Sequence, residues 1–411
     1  MPSKDIIALL GGWEGYRVGT VARFEAGELS DKSRTPEVLI ELVRRPGPMI
    51  CSGCGGACNR VHDWEERWVR DLPILDAQTH LCLQRFRVAC PTCGPKLERL
   101  SWLPLWSRVT LRLAESVARL CKVLPIKHVA EFYELGWDAV KAIDKEWLER
   151  TLGEPDLSNL TQLALDEFAI RRGQRYATIF VEPHRKQVLW VCRGHGREDI
   201  RPFFEKLGPQ GCRRLEAVAM DMSAAFEAEV RAQCPQARIV YDLFHVVAKY
   251  GREVIDKVRT AEAKRQTARC EREVIKGSRW LLLRNGPDLK RKDRVRLREL
   301  LKANRRLATV YVLKDDLKML WDYRLPSYAM QFWREWYARA IRSRIEPLKR
   351  FARQLAAKLD GVLSHCTYPL HTSLLEGINN KIKVIKRMAY GFRDDQYFFL
   401  KIRSAFPGIP G

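Results

Sequence analysis

The chain has 411 residues, with 73 lysines and arginines against 50 aspartates and glutamates, a net charge of +23, and 46% hydrophobic residues. At roughly 100 to 200 residues per domain this is room for about two to four domains, which excludes a small stapled peptide, and the charge points to a polyanionic partner, nucleic acid ahead of an anionic membrane. No run approaches the roughly 18 apolar residues of a spanning helix, and MPSKDIIALLGGWEGYRVG lacks a basic flank followed by a long apolar core, so we expect a cytoplasmic protein whose twelve cysteines stay reduced.

Residues 1–100 read as a turn-rich segment in which RRPGP leads into CSGC, and CPTC closes it. Cys51, Cys54, Cys90 and Cys93 form two CxxC knuckles, the donor set of a tetrahedral structural Zn2+ site. The 35 residues between the pairs exceed the usual spacing of about 15 to 20, and Cys58, His62, His80 and Cys82 lie inside that gap as substitute ligands. Over residues 101–155, PIKHVAEFYELGWDAVKAIDKEWLER places apolar residues at three- and four-residue steps on both sides of Gly136. That pattern suits a DNA-binding helix-turn-helix or a plain helical hairpin.

The period changes over residues 160–250. LALDEFAI, RYATIFVEP and QVLWVCRG read as a three-stranded meander; a helix at REDIRPFFEKLG, a strand at EAVAMDM, a helix at AAFEAEVRAQC and a strand at ARIVYD follow. The expected fold class is therefore α/β, a mixed sheet with helical cover. Residues 251–361 look like a helical insertion. Within it, residues 257–306 carry 18 basic against 6 acidic residues (18 − 6 = +12), enough to attract phosphates, and Lys290, Arg291 and Lys292 are its densest run. Trp321, Trp333, Trp336 and Tyr337 are expected in its helical core. Residues 362–405 complete the α/β part.

Three carboxylates stand out: Asp166 inside a strand, Asp221 at a strand end, and Glu376 on a later helix. A strand aspartate bears a desolvation cost that a cation would offset, and three such acids can hold two Mg2+ ions, with Mn2+ able to replace them, for phosphodiester chemistry. Each also has a structural reading. Asp166 can be a hydrogen-bonded strand residue, Asp221 can cap the helix near Ser223, and Ser373-x-x-Glu376 fits a capping box. On a helical wheel Glu376, Asn380, Lys383 and Arg387 share one face and Ile378, Ile382 and Ile385 the opposite one; a cap alone leaves that polar stripe unaccounted for. Gly377 costs its helix about 1 kcal/mol, consistent with a close backbone approach.

LDEF, RRGQRY, VAMDMS, YDLFHVV and above all LLEGINNKIKVIKRMAYGF resemble the motifs of bacterial insertion-sequence transposases of the DDE class, in the group with an N-terminal zinc-binding segment and a helix-turn-helix. The resemblance runs from about residue 47 to 405. It implies an RNase H-like core, interrupted by the insertion, in which Asp166, Asp221 and Glu376 are the metal-binding triad. Asp242 and His245 match an auxiliary Asp-x-x-His element, with Leu243 where the family is often basic. Lys381, Lys383, Lys386 and Arg387 are expected to meet DNA. The implied partners are the terminal inverted repeats of an element and its target DNA, bound by a homodimer or larger assembly at the bacterial nucleoid. The competing reading is a catalytically silent DNA-binding regulator that keeps the fold; a nuclease that cuts without joining is a further alternative.

Overall fold

The structure, a computed structural model, describes residues 11–171, 173, 175–284, 288–370 and 373–409. They divide into two compact units: residues 11–153 with 386–405, and residues 154–385 with the final segment from Phe406. The last expected segment, 362–405, is thus split, and the division falls within one helix, between Ile385 and Lys386.

The first unit opens with strands β1 (Tyr16–Phe24) and β2 (Glu37–Arg44), then the short pair β3 (Met49–Ile50) and β4 (Ala57–Cys58). The long hairpin β5 (Val61–Ile74) and β6 (Ala77–Cys90) follows, and then β7 (Gly94–Leu97). The order is β1-β2-β6-β5 with β7 on β6, and β2 runs parallel to β6. Ile40, Leu42, Val69, Leu81 and Leu83 cover one face and pack under Trp13, Tyr16 and Trp102. A turn-rich reading of residues 1–100 is therefore corrected to a sheet. Its longest strands were obscured because β5 is an edge strand whose outer face is charged or aromatic: Trp64, Glu66 and Trp68 are exposed.

Three helices complete this part: α1 (Leu111–Leu120), α2 (Ile126–Tyr133) and α3 (Trp137–Leu152). Thr110 caps α1 by accepting from the Leu113 amide. α2 ends at Glu134 in the left-handed region (φ 49°) and α3 begins after Gly136, so a tight turn joins two helices around a core of Leu113, Val117, Val129, Tyr133 and Val140. The arrangement is a helix-turn-helix on a third helix rather than a lone hairpin. The C-terminal helix, Asp395–Ala405, packs on α3. There the buried Asp144 accepts from the Tyr397 hydroxyl and from Lys401 Nζ at 2.8 Å. Asp394 lies 3.1 Å from Lys145 Nζ and 3.3 Å from Lys141 Nζ.

The second unit is built on β8 (Gln162–Arg171), β9 (Arg175–Glu182), β10 (Gln187–Arg193), β11 (Ala217–Met220) and β12 (Arg238–Tyr241), in the order β10-β9-β8-β11-β12. The first three strands are an antiparallel meander, and β8, β11 and β12 are parallel. Parallel strands are covered on both faces, which is why β11 reads as an unbroken apolar run. The cover includes α4 (Arg197–Arg214), broken at Gly208 (φ 71°) ahead of Pro209, and α5 (Ala224–Gln233).

α6 (Leu243–Tyr250) leaves the sheet and runs through a π-helical turn, Gly251–Ile255, into α7 (Asp256–Arg265), the start of the insertion. The insertion continues with α8 (Arg269–Gly277), α9 (Arg279–Leu283), α10 (Arg291–Ala303), α11 (Arg305–Met319), α12 (Pro326–Arg342), α13 (Glu346–Ala356) and α14 (Leu359–Leu363). Trp333 and Trp336 are buried in it, with Trp321 and Tyr337 packed against the same core, and Trp336 Nε1 donates to Leu313 O at 2.8 Å. α15 (Ser373–Met388) then carries Glu376, and α16 is the Asp395–Ala405 helix.

Candidate active site

The parallel strands decide where the acids meet. Ala164 of β8 stands opposite Ala219 of β11, and Met220 of β11 opposite Tyr241 of β12. Continued by two residues and by one, that register sets Asp166, Asp221 and Asp242 in one row across three adjacent strands, at the carboxyl edge where open α/β sheets bind ligands.

Asp166 is 5% exposed. Its Oδ1 accepts from the Glu167 amide at 2.9 Å, and Asn379 Nδ2 donates to its Oδ2 at 2.6 Å. Burial pushes its carboxyl up to about 6; His245 and the Glu167 amide pull it down, and Asp221 and Asp242 push it further up. Asp221 is also raised by burial, against the Ser223 amide, which donates to its Oδ1 at 2.9 Å, and the charges of His245 and Lys358. That bond closes a turn ahead of α5, whose N-cap is Ser223 with no side-chain cap, so Asp221 does not cap the helix. Asp242 accepts from the Phe244 amide at 2.7 Å, capping α6, and its Oδ2 lies 3.0 Å from His245 Nδ1. Burial would lower His245, but Asp242, Asp166 and Asp221 raise it above its ordinary value.

Asp166, Asp221, Asp242 and His245 are thus brought together. Glu376 lies on the exposed side of α15. Among the described residues, the one group of histidines, cysteines and acids whose ligand atoms all fall within 4.8 Å of one another is Cys51, Cys54, Cys90 and Cys93; Asp166, Asp221 and Glu376 do not form such a group. What α15 brings to Asp166 is Asn379, one turn after Glu376. The sequence signal for it was weak, since an amide beside the charged stripe reads as an edge residue. The expected stripe of Glu376, Asn380, Lys383 and Arg387 is exposed throughout, and Leu375, Ile378 and Ile382 are buried. The Ser373 side chain of the expected capping box lies outside the described residues. The close approach expected at Gly377 is corrected: a Cβ built there meets nothing within 4 Å.

Asp166, buried, and Asp221, half-buried, set neighbouring carboxylates at one strand edge, the donor chemistry that a hard dication takes, and the site fits Mg2+ on that ground. The four cysteine sulfurs fit Zn2+, with Cys54 Sγ 3.6 Å from Cys90 Sγ. Of the substitute ligands, Cys58 stays beside the cluster, its thiol near Cys90 and 3.8 Å from Gly56 O, whereas His62 turns to Asp63, His80 to Glu37 and Cys82 to Glu66. Lys381, Lys383 and Arg387 are exposed and Lys386 is half-buried. Lys290, Arg291 and Lys292 are exposed at the start of α10, where cations oppose the helix dipole, so the local fold does not account for them.

Three family models match. A transposase model covers residues 163–402, a helix-turn-helix domain of transposase family ISL3 covers 98–148, and a zinc-finger of transposase IS204/IS1001/IS1096/IS1165 covers 47–93. The transposase for insertion sequence element IS1001 of Bordetella parapertussis is 50% identical over 410 residues, 99% of each chain. The chain belongs to the ISL3 family of insertion-sequence transposases. A further relative, the transposase for insertion sequence element IS1557 of Mycobacterium tuberculosis, is 28% identical over 427 aligned positions, 94% of this chain and 93% of the relative. The transposase accordingly consists of a zinc ribbon, a DNA-binding helix-turn-helix and a DDE-type α/β domain. Among the described residues no helix is long and apolar enough to cross a membrane.

Proposed function

We propose that this transposase cuts DNA at the terminal inverted repeats of its element and joins the freed ends to target DNA, with Asp166, Asp221 and Glu376 as its metal-holding triad on an RNase H-like core. The observation that carries the reading is the row of Asp166, Asp221 and Asp242 across three parallel strands. The strand order, an antiparallel meander continued by two parallel strands, supports the RNase H-like fold. Two bound Mg2+ ions would activate the attacking oxygen and stabilise the leaving one.

The residues of the chain do the rest. Asp166 and Asp221 supply carboxylate oxygens at the sheet edge, and His245, held 3.0 Å from Asp242 Oδ2, faces them. Glu376, on the exposed edge of α15, is free to turn inward without breaking a core contact. Lys381, Lys383 and Arg387 on the same helix, and Lys290, Arg291 and Lys292 on α10, neutralise phosphates. In the first step water attacks the phosphorus at the element end, the bond to the 3′-oxygen breaks, and a 3′-hydroxyl and a 5′-phosphate result. In the second that hydroxyl attacks a target phosphodiester and expels its 3′-oxygen. Bringing two ends together calls for a dimer or larger assembly, acting on nucleoid DNA in the cytoplasm.

The test is purified protein with Mg2+ or Mn2+ on DNA carrying the inverted repeats. Asp166→Asn, Asp221→Asn and Glu376→Gln should each keep end binding and lose cleavage. Full cleavage by Glu376→Gln would return that residue to a capping role, and end binding without cleavage by the unaltered protein would favour a silent regulator.

A further inference from the structure

We propose that Asn379 is a further metal-holding residue of this site, its side-chain carbonyl serving as a neutral oxygen ligand beside Asp166. The inference rests on the reading that Asp166 holds Mg2+.

An amide has one donating and one accepting end, and here only one is used. Asn379 Nδ2 donates to Asp166 Oδ2 at 2.6 Å, while Asn379 Oδ1 is buried and has no hydrogen-bond partner. A buried acceptor left without a partner costs about 1–3 kcal/mol. Packing does not require it, because Leu375, Ile378 and Ile382 already supply the buried face of α15. Leucine, close in size, would dock the helix without that cost. The carbonyl end of the amide is therefore left for a further partner.

The terminal torsion of asparagine is broad and nearly two-fold, so half a turn exchanges the two ends. With the carbonyl turned to Asp166 two oxygens face each other, which is unfavourable until a cation lies between them. Amide carbonyls are among the oxygen ligands that hard dications accept. Asn379 is thus suited to hold the Asp166 carboxylate as a donor when no ion is present and to bind the ion as an acceptor when it is. Glu376 is one turn earlier, and the space around Gly377 is open, so the first turn of α15 can adjust while Asn379 keeps the helix on the strand edge.

The test is Mn2+ binding to the full-length protein without DNA, followed by the electron paramagnetic resonance signal of the free ion. Asn379→Leu, which keeps the packing, and Asn379→Ala, which keeps the helix if leucine does not fold, should each weaken Mn2+ binding by about 10- to 100-fold. Asn379→Asp, which restores an oxygen but has no donor, should bind Mn2+ at least as tightly as the unaltered protein. It should melt at a lower temperature without the ion and recover with it. A lower melting temperature with unchanged Mn2+ affinity in the leucine and alanine variants would overturn the proposal and leave Asn379 as a docking residue. Asp166→Asn is measured alongside: if it too binds Mn2+ normally, the triad reading fails; if it alone loses Mn2+, only the role of Asn379 fails.

Discussion

Glu227 offers a quantitative test of how the insertion is tied to the sheet. On α5 its Oε2 accepts from Lys358 Nζ and from the Tyr241 hydroxyl, each at 2.8 Å, and its Oε1 accepts from Arg231 Nη2 at 3.0 Å. Lys358 lies near the end of the insertion, just before α14, so the carboxylate fastens that end to α5 and to Tyr241 of β12. Burial alone would push Glu227 up, but Lys358, Tyr241 and Arg231 outweigh it and hold the carboxyl at about 2, against an ordinary 4.5. The folded value is depressed, so the stabilisation is present above pH 4.5 and lost as pH falls through 2. At about 1.4 kcal/mol per unit the ceiling is about 3.4 kcal/mol at pH 7, falling to about 1.4 kcal/mol at pH 3. Glutamine keeps an acceptor, so Glu227→Gln should cost about 2–3 kcal/mol at pH 7 in urea unfolding followed by tryptophan fluorescence, and less than half of that at pH 3. A cost below about 1 kcal/mol at pH 7, or one equal at both pH values, would refute the reasoning.

Replacing Lys290, Arg291 and Lys292 together by alanine should reduce the slope of log affinity against log salt for DNA binding by about 2.7, roughly 0.9 per phosphate contact; an unchanged slope removes the start of α10 from the DNA footprint. Cys93→Ser should take bound zinc from one ion per chain to almost none by elemental analysis, and should loosen the end of the N-terminal sheet while the β8–β12 sheet keeps its circular dichroism. Retained zinc would point to a ligand outside the four cysteines. Tyr397→Phe, which takes a donor from the buried Asp144, should destabilise the helix-turn-helix unit by about 1–3 kcal/mol in thermal melts. An unchanged transition would show that α16 is not part of that unit's fold.

The second unit was legible because its strands are short, apolar and bounded by turns, and Asp166 and Asp221 stood out as acids set in apolar runs. The zinc ligands were legible from two CxxC pairs despite the long gap between them. What escaped depends on partners distant in sequence. β5 carries charged and aromatic residues on its open face, so its period is visible only once β6 is beside it. The packing of α16 on α3 is not legible either, because Tyr397 and Lys401 meet Asp144 more than 250 positions away. Asn379 does not stand out in the sequence because a helical wheel separates charged from apolar residues and gives an amide no weight; it is distinguished by one made and one missing hydrogen bond.

The placement of α16 also sets an order of events during synthesis. The zinc ribbon and the helix-turn-helix leave the ribosome ahead of the second unit, but the helix that covers α3 is made only after residues 154–385. At about 5–20 residues per second, the 252 residues between Gly153 and Ala405 take about 13–50 s to translate. Over that interval the nascent chain exposes Asp144, Lys141 and Lys145 without their C-terminal partners. A chain that ends early is expected to carry an unfinished DNA-binding unit, so the competence to hold DNA arrives with the completed catalytic part rather than ahead of it.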